Sequence, residues 1–468
     1  MTPVICWFRQ DLRLADNPAL TASIATGKPI ICVYILDVES PVKWRLGRAS
    51  RWWLHQSLQS LADSFEELGG TLILRRGDPE AIIQALANET GARTIYWNRC
   101  YEPGAVKRDQ RLKSVLAKTG IATESFNGSL LREPWDVKTL AGAPFKMFTP
   151  FWRAGYGDWQ PNSPLPPPSK LLAARPDAGG DHLDDWGLLP KKPDWSGGLR
   201  AAWQPGEPSA QFRLASFLGR LSRYAASRDQ PSAAGTSRLS PHLHFGEISP
   251  RQTWHAVVSS APSPDSEKFL SEIGWREFSY HLLFHNPKLP AEPLDAKFAN
   301  FPWSKDDEGF AAWAHGRTGF PIVDAGMREL WTTGWMHNRV RMIAASFLVK
   351  QIGVDWRRGA EWFWDTLVDA DLANNSASWQ WVAGCGTDAA PFFRIFNPVL
   401  QGEKFDPDGE YVRRWVPELA HMPSKFIHKP WLAPPQTQSA VKTYPQPILD
   451  LATARERALQ AYKALSPP

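Results

Sequence analysis

A chain of 468 residues is too long for one ordinary core and predicts two or three domains. With 43% hydrophobic and 22% charged residues it reads as globular, neither disordered nor fibrous. The net charge of +5 admits a polyanionic partner without demanding one. No apolar run approaches a bilayer span, and residues 1–20 lack the unbroken apolar core of a signal peptide, so cytoplasm is the expected compartment. Cys6, Cys32, Cys100 and Cys385 show neither CxxC pairing nor clustering with His, so disulfides, zinc and iron–sulfur clusters are not expected. The 24 Trp exceed what a core needs and suggest further duties in stacking or electron transfer.

In chain order, VICWF, PIICVYIL, TLILRRG and TIYWNR read as buried strands, with helices at 48–68 and 79–89 between them. Strands separated by helices predict a parallel sheet with right-handed crossovers, a Rossmann-like α/β domain over residues 1–130. The first strand runs into Arg9-Gln10-Asp11-Leu12-Arg13 with no GxGxxG, so a dinucleotide at that turn is unsupported. Residues 131–208, with SPLPPPSK and GGDHLDD, predict an interdomain linker, although 145–151 is apolar enough to pack. From 209 to 468 the spacing turns helical, with helices expected at 211–226, 249–258, 266–284, 324–332, 336–351 and 360–368. A large all-α domain is expected there.

Within that domain the stretch 361–398 concentrates acids, adjacent asparagines and paired Trp. Asp369 and Asp371 are placed where a helix gives way to an irregular loop, suited to fixed hydrogen bonds with a polar ring system or to Asx turns. Gly235-Thr236-Ser237-Arg238-Leu239-Ser240-Pro241 offers a phosphate cradle or a helix cap. Glu272, Trp275 and Arg276 share a helical face that fits a flat heterocycle, or else an i,i+4 pair beside a core Trp. Asn338, Arg341, Met342 and Ala345 share another face while Arg339 points elsewhere; an inward Arg341 needs a carboxylate, for which Asp369 is the candidate.

WFRQDLRLADNPAL, GTSRLSPHLHFGEISP, WREF, GFPIVDAGMREL, WMHNRVRM and DADLANNSASWQW occur in the order seen in the photolyase/cryptochrome family. The chain resembles the bacterial cyclobutane pyrimidine dimer photolyases, in particular the class III branch related to plant cryptochromes. The resemblance implies FAD in the helical domain, active as FADH−. Tyr224, Thr236, Ser237, Leu239 and Ser240 would hold its diphosphate side. Arg276, Asn338, Asp369, Asp371 and Asn375 would surround its ring and ribityl chain, with Arg341 paired to Asp369. Glu272, Trp275, Asn338, Met342 and Trp381 would line the pocket for a flipped dimer in ultraviolet-damaged DNA, and Arg339, Arg394 and Lys404 would meet flanking phosphates. Trp379, Trp356 and Trp303 match the family's relay from flavin to surface. A neutral Asn375 beside flavin N5 and Glu272 at the dimer's carbonyl edge would serve repair.

The resemblance also implies an antenna on the first domain, methenyltetrahydrofolate or alternatively a deazaflavin, although Asn98-Arg99-Cys100-Tyr101-Glu102-Pro103 departs from the Asn-Glu pair of the best-known folate-binding relatives. A monomer is expected. Three alternatives stand beside repair of cyclobutane dimers. A (6-4) photolyase uses a catalytic histidine in the helix where this chain reads His337-Asn338. A plant-type cryptochrome sensor carries Asp where Asn375 stands and adds a long tail. A plain flavin oxidoreductase needs a nicotinamide site that no feature here proposes.

Overall fold

The computed structural model describes residues 2–39, 44–157, 159–174, 179–260, 262–388, 394–439 and 442–465. Five strands, β1 (Val4–Phe8), β2 (Ile30–Asp37), β3 (Leu72–Gly77), β4 (Thr94–Asn98) and β5 (Ala122–Phe126), form one parallel sheet in the order β3-β2-β1-β4-β5. Register runs Val4 to Ile30 and to Thr94, so β1 sits between the strands that follow it in opposite directions. Ile5, Trp7, Ile31, Val33, Ile73, Ile95 and Trp97 are buried in one cluster. Each such side chain contributes about 1.5–3 kcal/mol by leaving water, which is why these runs had to be strands with both faces covered.

The fifth strand, ATESF, escaped the sequence reading. It lies at the edge with an alternating, mostly unburied pattern, and so lacks the apolar run that marks its neighbours. Helices Arg48–Glu67 and Pro79–Thr90 fall within a residue of expectation, while Pro18–Ala25 and Pro103–Lys118 complete the crossovers.

The chain forms two compact units, Met1–Leu221 with Ser237–Pro287, and Ser222–Thr236 with Lys288–Pro468. The first therefore contains the sheet, the segment expected as a linker and the long helix Pro264–His285. Residues 131–208 are bonded to the sheet: Ile30 N–H donates to Leu172 O at 2.8 Å, Ala174 N–H to Ile30 O at 2.9 Å and Asp181 N–H to Leu74 O at 2.9 Å. A Pro-rich strip has few N–H groups to pair, yet its extended backbone satisfies exposed ladder groups without any side-chain periodicity. The same stretch holds helix Phe148–Tyr156, which packs closely on Pro264–His285 because position 274 is glycine; a Cβ there would lie 2.2 Å from the Trp152 ring.

The second unit is helical. Pro321–Thr333, Asn338–Ser346, Trp356–Thr366 and Leu372–Ala383 surround a core that includes Trp313, Phe347, Trp356, Phe363 and Trp379. The helix expected at 336–351 is shorter at its start and changes to a π-turn over Phe347–Ile352. From that turn the buried Lys350 Nζ donates to Ala383 O at 2.7 Å, satisfying a carbonyl at the end of Leu372–Ala383. Among the described residues no helix is long and apolar enough to cross a membrane, and no cluster of three His, Cys, Asp or Glu could hold a metal. All four cysteines are free and buried.

Candidate active site

In the second unit the segment Leu367–Asp371 is a short connection between two helices, not a long irregular loop. Asp371 is the N-cap of Leu372–Ala383: its Oδ1 accepts from Asn374 N at 2.8 Å and from Asn374 Nδ2 at 2.7 Å. Both asparagines are consequently helical, a correction to the loop reading; an Asp two residues before them supplies the cap that starts a helix. Residues 389–393 of the same stretch lie outside the described residues.

Asp369 is buried and paired as expected. Arg341 Nη2 lies 2.8 Å from its Oδ2 and 3.1 Å from its Oδ1, while Arg341 Nε donates to Met336 O at 2.7 Å. Asn375 Nδ2 donates to Ala360 O at 3.0 Å, and its Oδ1 takes no hydrogen bond among the described residues. The amide is thus anchored at one end with its acceptor unspent. Asn338 is exposed at the first turn of its helix, Met342 is half-buried and Ala345 is buried. His337 is buried and caps that helix, its Nδ1 accepting from Arg339 N at 3.1 Å. Burial lowers its pKa to about 4, which keeps the ring neutral.

Tyr224 is buried under the Arg228 guanidinium, 5.4 Å from the ring centre. Gly235 lies so close to Ser227 that a Cβ would stand 2.5 Å from Ser227 O, so the loop carrying Thr236 requires glycine there. Arg339 Nη2 is 2.8 Å from Asp229 Oδ2, and the Phe405 ring carries Arg339 at 4.4 Å and Lys404 at 5.1 Å. Arg394 is exposed, and Trp381 Nε1 donates to Asp388 O at 3.1 Å. Trp379 and Trp356 are buried and Trp303 is half-buried against Phe301, at 4.2 Å. Among the described residues the rings beside Trp379 are Phe363 at 5.0 Å and Trp313 at 6.2 Å, rather than Trp356.

In the first unit, helix Pro264–His285 begins with a reciprocal cap between Ser263 and Ser266. Glu272 lies 3.4 Å from Lys268 one turn back. Trp275 stacks on Phe148 with centroids 3.7 Å apart and planes 12° apart. Arg276 Nη1 donates to Ser129 O at 2.8 Å and its guanidinium lies over Tyr280. Neither Phe148 nor Glu277 was singled out in the sequence. Glu277 is buried, and its Oε2 accepts from Leu131 N at 2.9 Å and Tyr156 Oη at 3.1 Å; burial still pushes its pKa up to about 7. The WREF motif contains this acid, yet only the packing shows it facing a backbone loop. In the hydroxyl-rich loop Arg238 is left-handed at φ 54° and Leu239 right-handed at φ −85°, ψ −7°, with Leu239 N donating to Ser237 Oγ at 3.4 Å. Successive N–H groups in such a turn form a concavity suited to anionic oxygens.

Residues 4–169 match the DNA photolyase family, and residues 269–464 match the FAD binding domain of DNA photolyase. A deoxyribodipyrimidine photo-lyase of Agrobacterium fabrum is 51% identical over 99% of this chain and 98% of its own length. The chain belongs to the photolyase/cryptochrome family. Cryptochrome-1 of Arabidopsis thaliana is 42% identical over 98% of this chain and 70% of its own. The crystal structure of a bacterial class III photolyase from Agrobacterium tumefaciens superposes with a TM-score of 0.96 at 50% identity, covering 99% of this chain and 98% of that one. A Synechocystis cryptochrome gives 0.89 at 31% identity, covering 98% and 99%. Membership places the sheet and the helical region in the two conserved parts of a photolyase, the second of which is its FAD-binding domain.

Proposed function

We propose that this chain is a light-driven DNA-repair enzyme of the class III type that splits cyclobutane pyrimidine dimers. The observation that carries the reading is the partly buried Arg341–Asp369 pair, in the same unit as Asn375, whose anchored amide keeps an unspent acceptor. This donor set suits a reduced flavin. Arg341 and Asp369 match the polar edge of the ring, Asn375 offers an acceptor and Asp371 starts the helix that carries it; within the first unit, the concavity at Arg238–Leu239 suits a diphosphate. Tyr224, Thr236, Ser237, Leu239, Ser240, Arg276 and Asn338 complete the proposed holding set. Photoexcited reduced FAD supplies the electron that ring splitting needs and that no side chain can give at neutral pH.

The chain's own residues then position and protect. Asn375 is neutral at every working pH, so it sets no carboxylate against an anionic ring. Trp275 is backed by Phe148, leaving its other side for a base that has left the stack. Trp381 and Met342 add apolar surface, and Glu272 donates or accepts at the carbonyl edge. Arg339, Arg394 and Lys404 meet backbone phosphates, giving affinity that is sensitive to salt and blind to sequence. Trp379, Trp356 and Trp303 would carry electrons from an external reductant toward oxidised FAD under light, with Trp313 and Phe363 the rings packed on Trp379. Asn338 at the second position of His337-Asn338 favours the cyclobutane lesion over the (6-4) alternative, and His337 before it is buried, neutral and engaged as a cap.

For the antenna we infer a folate, with a deazaflavin as the alternative. In an open α/β sheet a nucleotide-like ligand takes the crevice at the carboxyl ends where strand order reverses. Here Arg9, Asp109, Asn98, Asp11 and Asn17 fill the ends of β1 and β4 with a bonded network, which supports an antenna held elsewhere.

The test is light-driven repair of an ultraviolet-damaged oligothymidine by reduced protein, followed by recovery of base absorbance. Recovery in blue light and not in darkness is expected. No recovery with flavin bound and reduced would transfer the reading to a cryptochrome-like sensor or, if that lesion is repaired instead, to a (6-4) photolyase.

A further inference from the structure

Asp229 lies between two arginines and uses one oxygen for each. Its Oδ2 is 2.8 Å from Arg339 Nη2 and its Oδ1 is 3.8 Å from Arg228 Nε. The side chain is 38% exposed, and Arg339 retains 20% exposure. Arg339 lies over the Phe405 ring, 4.4 Å from its centre, the same ring carries Lys404, and Lys404 makes no ion pair among the described residues. Arg339 Nη1 lies 3.9 Å from Met342 Sδ, the side chain assigned above to the lesion pocket. A carboxylate and a phosphodiester offer a guanidinium the same paired oxygens and the same charge. Asp229 therefore stands where a backbone phosphate would bind, in a pair exposed enough to be weak and exchangeable.

We propose that Asp229 is a specificity-determining residue, a built-in competitor for the phosphate that Arg339 would meet. The inference rests on the DNA-binding reading given above. Undamaged duplex gains little from Arg339, because a phosphate there must displace a carboxylate already in place. A strand whose lesion is seated in the pocket is held nearby and displaces it at high local concentration. Asp229 thus suppresses non-specific binding, the sequence-blind background against which a repair enzyme searches.

Anisotropy titrations of Asp229→Asn, Asp229→Glu, Arg339→Gln and the Asp229→Asn/Arg339→Gln double variant test this. Matched oligonucleotides with and without one dimer are titrated at several salt concentrations. Asp229→Asn is expected to bind undamaged DNA about five- to tenfold more tightly at low salt, with a log–log salt slope steeper by about 0.9 per phosphate newly engaged. The preference for the damaged strand falls by a similar factor. Asp229→Glu retains it, and the tightening shrinks when Arg339 is absent. If Asp229→Asn binds undamaged DNA equally or more weakly while Arg339→Gln weakens binding, Asp229 merely props Arg339 and the proposal is wrong. If Arg339→Gln leaves both affinities unchanged, the phosphate role of Arg339 falls and the competitor role with it.

Discussion

Two guanidinium–carboxylate pairs, one in each unit, use the same chemistry to opposite ends. In the sheet-bearing unit Arg9 Nη1 reaches both oxygens of Asp109, at 2.8 and 2.9 Å, and its guanidinium lies 4.7 Å over Trp7. Its Nη2 donates to Asn98 O, and Trp97 Nε1 donates to Asp109 at 3.2 Å. The pair is withdrawn from water, 7% and 12% exposed, at the end of the sheet where strand order reverses. In the helical unit Arg341 uses one amino nitrogen for Asp369 and Nε for Met336 O, while Nη1 makes no hydrogen bond among the described residues. Both arginines leave a donor unmatched among the described residues, but Arg9 Nε is sealed from water with its side chain 7% exposed, whereas the Arg341 side chain keeps 23% exposure and can serve a ligand.

The sharpest way to break this comparison is Arg341→Ala. It leaves Asp369 buried without its cation, and should cost about 3–5 kcal/mol and the retained flavin. Denaturant unfolding and the flavin absorbance of the purified protein report both, and a variant that keeps its flavin would remove Arg341 from the site. Arg9→Met should cost about 3 kcal/mol for the same reason, but repair per folded, flavin-loaded molecule should be unchanged. A loss of repair at full flavin loading would show that the crevice network is more than a plug.

The third prediction concerns pH. The pKa of His337, about 4 in the folded chain, lies below its unfolded value of 6.5. Its neutral ring therefore contributes fully above pH 6.5, and that contribution is lost as pH falls toward 4. Replacement by glutamine, which keeps an acceptor and cannot be protonated, should flatten the fall in stability between pH 7 and 5 by about 2 kcal/mol. An unchanged slope in urea titrations would assign the pH dependence elsewhere, for example to His281, which burial also lowers to about 4. The smallest structural effect is expected for Trp379→Phe, which leaves a ring against Phe363 and should cost about 1–2 kcal/mol. Photoreduction of oxidised flavin should slow markedly while repair by pre-reduced enzyme persists. Equal loss of both would end the relay role.

The strands were legible because both faces of the sheet are buried, which forces continuous apolar runs at β1 to β4; the half-exposed edge strand β5 carries no such run. The Arg341–Asp369 pair was legible too, since a helical face with an inward arginine needs an acid and DAD is the obvious donor of one. Its neighbour shows the limit. Periodicity says only that Arg339 leaves the Arg341 face, whereas Asp229 and Phe405, 110 and 66 residues distant, decide what it meets. The part of the expected linker around 172–181 has no side-chain period because its backbone is what bonds to the sheet.

The sequence by itself determined the two fold types, the family and the partnership of Arg341 with Asp369, because these follow from local period and motif order. Tertiary structure alone decided that Phe148 backs Trp275, that Glu277 is buried against a loop and that Arg9 meets Asp109. Each of those depends on chain segments far apart in sequence meeting at contact distance, and no local pattern encodes which segment arrives.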